Sequence, residues 1–187
     1  MKDSNIETKR RRIVVDKDVE VIVRNNTFYR FVYENNRIMT SFDMEKYGDE
    51  EYVTVGELRT MVNSNRKIFE DFIILIVDIL DDNYTLYDLL IYLGLEKKYD
   101  EYFSVASDYE EQQIGDLKTF ITKSSADSFI GLFESMGDKL RSRVIDMSIK
   151  LFKLGKFNDY SKMQIIRKYT SDEIFLDAED TEIDIHM

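Results

Sequence analysis

The chain has no cysteine, no proline and no tryptophan, and its single histidine, His186, is the penultimate residue. Each absence closes a chemistry. Without cysteine there is no disulfide framework, thiol nucleophile, Cys-ligated zinc or iron–sulfur cluster. The redox compartment is then unreadable, although a cytosolic setting fits better than a secreted one. A lone His at a chain end is poorly placed as a general base, which disfavours Ser-His-Asp, multi-His metal and phospho-His chemistry. Long apolar runs are missing too. The longest, Phe72 to Val77, meets Asp78 and falls far short of the roughly 20 residues that cross a bilayer. No apolar segment follows Lys9-Arg10-Arg11-Arg12, so no signal peptide is expected. The seven glycines fit no phosphate cradle: near Gly131 to Lys139, Asp138 precedes the lysine and Leu140 replaces the Ser or Thr that holds Mg²⁺.

What remains is 187 residues with 43% apolar and 34% charged side chains, enough for one domain, or one small domain with a helical extension. The net charge of −11 is unevenly placed: +3 over Met1 to Arg12, −7 over Ser171 to Met187, and −7 for the body between. Such a body repels a phosphate backbone, so nucleic acid is disfavoured as a partner except through the N-terminal arm. Arg10, Arg11 and Arg12 read either as a solvated arm or as one that docks on an acidic neighbouring copy. Phe175, Leu176, Ile183 and Ile185 are interleaved with the acids of the tail. That pattern fits a strip that lies in a groove of its own chain or of a partner.

Residues 13–42 read as an antiparallel β meander. Val19, Val21 and Val23 alternate with Glu20, Ile22 and Arg24; Asn25-Asn26 offers a turn, Phe28 to Tyr33 a return strand, and Glu34 to Arg37 a second turn before Ile38 to Phe42. Tyr52 to Val55 is a further strand after Gly48-Asp49. Thr54 and Glu57 have capping-box spacing, and Ser64 is positioned to cap a second helix. The apolar positions from Ile68 to Leu80 follow a helical stripe, whereas their β-branched density favours a buried strand; the periodicity predicts helix. Helices follow from Thr85 to Gly94, Glu96 to Phe103, Ser125 to Met136, Asp138 to Leu154 and Ser161 to Tyr169. The expected class is α+β, an N-terminal antiparallel β meander followed by a mainly helical body. The expected divisions are 1–12 (basic arm), 13–60 (meander), 61–170 (helical domain) and 171–187 (acidic tail).

No catalytic, cofactor-binding or metal-binding residue is predicted. Asp81-Asp82-Asn83 lacks the turn Gly and terminal Glu of a Ca²⁺ loop, and the acids beside Tyr47 and Tyr52 read as a solvated loop. The strongest surface candidate is Phe28 to Tyr33, where alternation places Tyr29, Phe31 and Tyr33 on one face. Interleaved Arg30 admits base stacking, but a packed or partner-facing sheet suits the charge better.

From Val21 to about Tyr102 the succession Val-Arg-Asn-Asn-Thr at 23–27, Tyr33, Tyr47 to Tyr52, Gly56 to Met61, Phe69, Tyr92 to Leu95 and Tyr99 resembles structural proteins of tailed bacteriophages. Phe28 stands where such proteins often carry Gly. The resemblance implies a non-enzymatic part of a virion or of its assembly, and it implies strand rather than helix at Phe72 to Val77. The expected partners are other protein subunits, itself and neighbouring virion proteins, met through the hairpin and both terminal arms, with no membrane. The expected location is the virion or the host cytoplasm. The alternative function is an acidic inhibitor or nucleic-acid mimic that fills the basic groove of a host enzyme; an enzyme of carboxylate or Tyr chemistry is the third class.

Overall fold

The computed structural model describes residues 13–108, 113–170 and 172–175. Antiparallel strands come first and a mostly helical body follows, an α+β fold. The strands are β1 (Glu20–Asn25), β2 (Phe31–Asn35), β3 (Thr40–Met44), β4 (Glu50–Thr54) and β5 (Ile74–Ile79), with short β6 (Ser107–Asp108) and β7 (Gln113–Ile114) paired further on.

The strands do not pair in the meander order that the turns predict. β1 lies in the middle of a sheet ordered β4-β1-β5, and β2 and β3 form a sheet of their own. Val21 faces Val53 on one side and Ile79 on the other, with a bulge between Ile22 and Val23. Asn25-Asn26 is therefore not the tip of a β1–β2 hairpin. Asn26 donates its backbone N–H to Ile73 O and its side-chain amide to Phe72 O, both at 2.9 Å, which staples the end of β1 to the start of β5. The second turn does close a hairpin: Asn35 Oδ1 accepts Arg37 N–H at 3.0 Å, and Thr40 leads back opposite Asn35.

Residues 74–79 are strand, which corrects the periodicity-based helix. The helical pattern holds for one short turn, α2 (Lys67–Glu70), which buries Ile68 and Phe69. It ends as Phe72 N–H reaches Phe69 O at 3.2 Å and Ile73 N–H reaches Ile68 O at 3.0 Å, a Schellman closure with Phe72 at φ +53°. The β-branched run then enters the sheet with four consecutive residues, Ile74 to Val77, buried. A strand covered on both faces shows no alternation, so its apolar run mimics a buried helix. Its outer edge is closed as well, because Ile76 N–H donates to the hydroxyl of buried Tyr99 at 2.9 Å.

α1 (Val55–Ser64) begins with the expected capping box between Thr54 and Glu57. Ser64 ends that helix and bonds back to Thr60 O and Met61 O; α2 has no side-chain cap. α3 (Leu86–Leu93) is capped by Thr85 and closed by Gly94 at φ +68°, and α4 (Glu96–Phe103) follows. The body continues with α5 (Leu117–Lys123), α6 (Ala126–Ser135), α7 (Asp138–Lys153) and α8 (Tyr160–Arg167). Leu140, Val144, Met147 and Leu151 carry the buried stripe of α7, whereas Leu154 lies outside it and is exposed. One hydrophobic cluster runs from Val15 through the sheet to Ile166 and Phe175. The expected division at residue 60 falls inside α1, and β5 from beyond it pairs with β1, so the sheet is built across that line.

Candidate functional site

The predicted surface residues separate into three groups. Arg10, Arg11, Arg12, Leu176, Ile183 and Ile185 lie outside the described residues. Phe175 is only 3% exposed and packs edge-on against Phe152 (5.3 Å between centroids) and Phe157 (6.1 Å), with the Arg167 guanidinium over its ring. Its ring is thus occupied by its own chain, which corrects its assignment as a partner-facing group; the apolar interleaving marked a docked residue, and the dock is intramolecular.

Tyr29, Phe31 and Tyr33 do not share one face. Phe31 and Tyr33 are half-buried and turn inward onto Phe42, at 6.2 and 5.4 Å between centroids. Tyr29 precedes β2 and is 77% exposed. Strict alternation fails because Thr27 to Arg30 is not strand. Asn25 holds that loop: its amide donates to Tyr29 O (2.9 Å) and Met44 O (3.3 Å), while its Oδ1 accepts Thr27 N–H and the Thr27 hydroxyl, both at 2.9 Å. Phe28 meanwhile stacks on Tyr47 at 5.2 Å.

The hairpin formed by β2 and β3 has an inner face of Phe31, Tyr33, Phe42 and Met44 and an outer face of Val32, Glu34, Ser41 and Asp43. Val32 is 58% exposed, and Met39, at the tip with φ +53°, is 92% exposed. Arg30 pairs with Asp43 beside Val32, which holds the Asp43 carboxyl below its ordinary value; the pair lies at the surface. The hairpin is tied to α1 by the Thr40 hydroxyl, which donates to Glu57 Oε1. Burial opposes the charge on Glu57. Hydrogen bonds from Thr40 and from the Thr54 backbone and hydroxyl together outweigh it and hold the carboxyl below its usual range.

A cleft of about 340 Å³ opens at the base of the hairpin, between Asn26–Tyr29 and α7. From α7 come Arg143, Asp146, Lys150 and Lys153. Arg143 lies 3.4 Å from Asp146, and Lys150 Nζ lies 5.7 Å from the centroid of the Phe28 ring. Burial holds the Asp146 carboxyl above its ordinary value, with Arg143 opposing. Sequence reasoning passed over these cations because their α7 helix was read only for its apolar stripe. The signal was present: 143, 150 and 153 are spaced seven and three apart and share one helical face.

Among the described residues no group of three or more His, Asp or Glu is placed to hold a metal ion, and no helix is long and apolar enough to cross a membrane. Comparison with protein-family models, curated proteins and solved structures finds no match to this chain.

Proposed function

We propose that this protein is a non-enzymatic structural or assembly component that joins other protein subunits, copies of itself first among them, through the β2–β3 hairpin. One observation carries the reading. The hairpin is a two-stranded sheet of its own, so among the described residues β2 has a strand on one side only, and Val32 on its outer face and Met39 at the hairpin tip stand exposed. An unpaired edge presents a row of backbone donors and acceptors that a second strand satisfies, and exposed apolar groups beside it are the part that gains from desolvation. The Thr40–Glu57 tie and the inner aromatic face fix the hairpin, so little ordering entropy is lost on docking. A bacteriophage particle is the setting that the resemblance over Val21 to Tyr102 supports.

Sedimentation or light scattering across a concentration series tests this. Multimers are expected for the native chain, and V32K with M39K should shift them to monomer. A native chain that stays monomeric at millimolar concentration would overturn self-assembly through the hairpin.

A second reading, an acidic inhibitor or nucleic-acid mimic, draws on a different place. Asp16, Asp18, Glu20 and Asp81 line a shallow depression near Thr54. Salt-sensitive capture of a basic nucleic-acid-binding enzyme by a monomer, lost on changing Asp16 and Asp18 to Asn, would favour it over the hairpin.

A further inference from the structure

The cleft between Asn26–Tyr29 and α7 is a place where the chain leaves its own polar groups incomplete. Asn26 is 5% exposed; its amide is committed to Phe72 O, yet its Oδ1 has no hydrogen-bond partner. Arg143 uses Nη1 toward Asp146, yet its Nε, also buried, has none. One is an acceptor and the other a donor, and both residues line the same cleft. Buried polar atoms without partners are uncommon in native proteins, and each is accounted for by local strain, a water, an ion or a bound group.

The rest of the lining says what kind of group. Three cations, Arg143, Lys150 and Lys153, face one acid, Asp146, which reverses locally the sign of a chain that carries −11 overall. Lys150 and Lys153 are exposed and make no ion pair within the described residues. A concave site lined by one sign of charge concentrates the opposite ion. The wall beside the cations is aromatic: Phe28 is fixed by its stack on Tyr47, and Tyr29 stands at the rim with most of its ring in solvent. A phosphate monoester supplies acceptors for the cations, because near neutral pH, with its second ionisation at about 6, it is mostly the dianion; the hydroxyls of an attached sugar supply the donor that the Asn26 acceptor lacks. The cleft volume sits at the lower end of the roughly 300–1,000 Å³ typical of small-molecule sites.

We propose that this cleft binds a nucleoside 5′-monophosphate. Its phosphate sits between Lys150 and Lys153 and, after side-chain adjustment of Arg143 and Asn26, accepts from Arg143 Nε, while a sugar hydroxyl donates to Asn26 Oδ1; its base lies against Tyr29. The inference is independent of the hairpin's role in assembly.

The test is calorimetric titration of the full chain with AMP and UMP, beside inorganic phosphate, unphosphorylated adenosine and a 5′-phosphorylated oligonucleotide. The expected result is a dissociation constant below about 1 mM for the mononucleotides. Inorganic phosphate should bind more weakly and adenosine not measurably. K150E with K153E should weaken AMP binding at least about tenfold, and Y29A about threefold, as loss of charge-assisted bonds and of one stacking surface requires. These three side chains are exposed, and circular dichroism should show the variants folded. M39K should leave AMP binding unchanged, so failure of the assembly reading leaves this one standing. No heat with either mononucleotide at several millimolar overturns the proposal. So does affinity for inorganic phosphate equal to that for AMP, binding of the oligonucleotide alone, or AMP affinity unaffected by the lysine changes.

Discussion

The hydroxyl of Tyr47 donates to Asp116 Oδ1 at 2.6 Å, and that same oxygen accepts the backbone N–H of Lys118 at 2.8 Å. One carboxylate thus caps α5 and receives a side chain from the loop between β3 and β4, so the N-terminal strands and the helical body share a polar joint beneath the Phe28–Tyr47 stack. Tyr47→Phe removes one bond and leaves the cap. Asp116→Ala removes the cap and strands a half-buried phenol. The first should cost about 1 kcal/mol and the second about 2–3 kcal/mol in urea unfolding. An unchanged midpoint in Tyr47→Phe would mean that the phenol contributes nothing beyond its packing.

Two buried phenols, Tyr99 and Tyr102, and the half-buried Tyr47 set the alkaline limit of stability. Burial is the chief cause that raises Tyr47, Tyr99 and Tyr102 above the ordinary phenol value, reinforced for Tyr47 by Asp116 and opposed for Tyr99 by its bond to Ile76 N–H. Because the folded values are raised, the unfolded chain loses these protons first. Their contribution is complete below about pH 10 and falls as pH rises past it, by about 1.4 kcal/mol per pH unit for each phenol. Denaturant midpoints measured from pH 8 to 11.5 should bend downward near pH 10. A level profile across that range would contradict the burial of these hydroxyls.

Glu57 governs the opposite end. Its lowered value means that the charged form is preferred on folding, so its contribution is present above the unfolded carboxylate range near 4.3 and declines as pH falls through the lower folded value. Glu57→Gln should flatten that acid limb. Thr54→Ala should cost about 1 kcal/mol at neutral pH as the cap is lost. Amide exchange offers the sharper readout: Thr40→Val should speed exchange in β2 and β3 while leaving β1 and β5 protected.

Phe72 places two effects in competition. Glycine at φ +53° relieves roughly 1–2 kcal/mol of left-handed strain. It also deletes a fully buried ring that packs on Tyr99 and Tyr102, a loss of roughly 3–5 kcal/mol. Packing wins, so Phe72→Gly should be destabilised by about 1–4 kcal/mol. A variant as stable as the native chain would mean that the ring is placed there for a reason other than the core.

Lys162 is 2% exposed, yet its ammonium is satisfied by Ile121 O at 2.8 Å and Ser124 O at 2.7 Å, at the C-terminal end of α5. Lys162→Met keeps the stem and orphans both carbonyls. A loss of about 1–3 kcal/mol is expected by thermal unfolding. An unchanged or higher midpoint would show that desolvating the ammonium cancels what its two bonds contribute.

Local signals in the sequence were sound wherever the structure uses a residue type for its common reason. Thr54 with Glu57, Thr85 and Gly94 mark real helix ends, and Asn35 marks a real turn. They misled where an ordinary role is filled by an unusual residue. The closure after Leu93 carries Gly, whereas the same closure after Glu70 carries Phe72, so no terminator residue marked the end of the helix there and, among local signals, only the β-branched density pointed to the strand. Asn25 and Asn26 look like a hairpin turn but spend their side chains on distant carbonyls. The buried Lys162 and the cation face of α7 went unread for one shared reason: charged residues on a helix read as solvated until the partner across the gap is known.

The middle position of β1 also dictates an order of events. Both strands that flank it come later in the chain, β4 after the hairpin and β5 after two helices. A chain emerging from its N-terminus therefore holds β1 with both edges bare, and pairing so distant in sequence is slow to form. Until Ile79 is available to face Val21, the earlier strands cannot complete their sheet. A fragment cut at residue 60 should be sticky rather than stable, and synthesis past residue 80 is the earliest point at which this protein can protect its own strands.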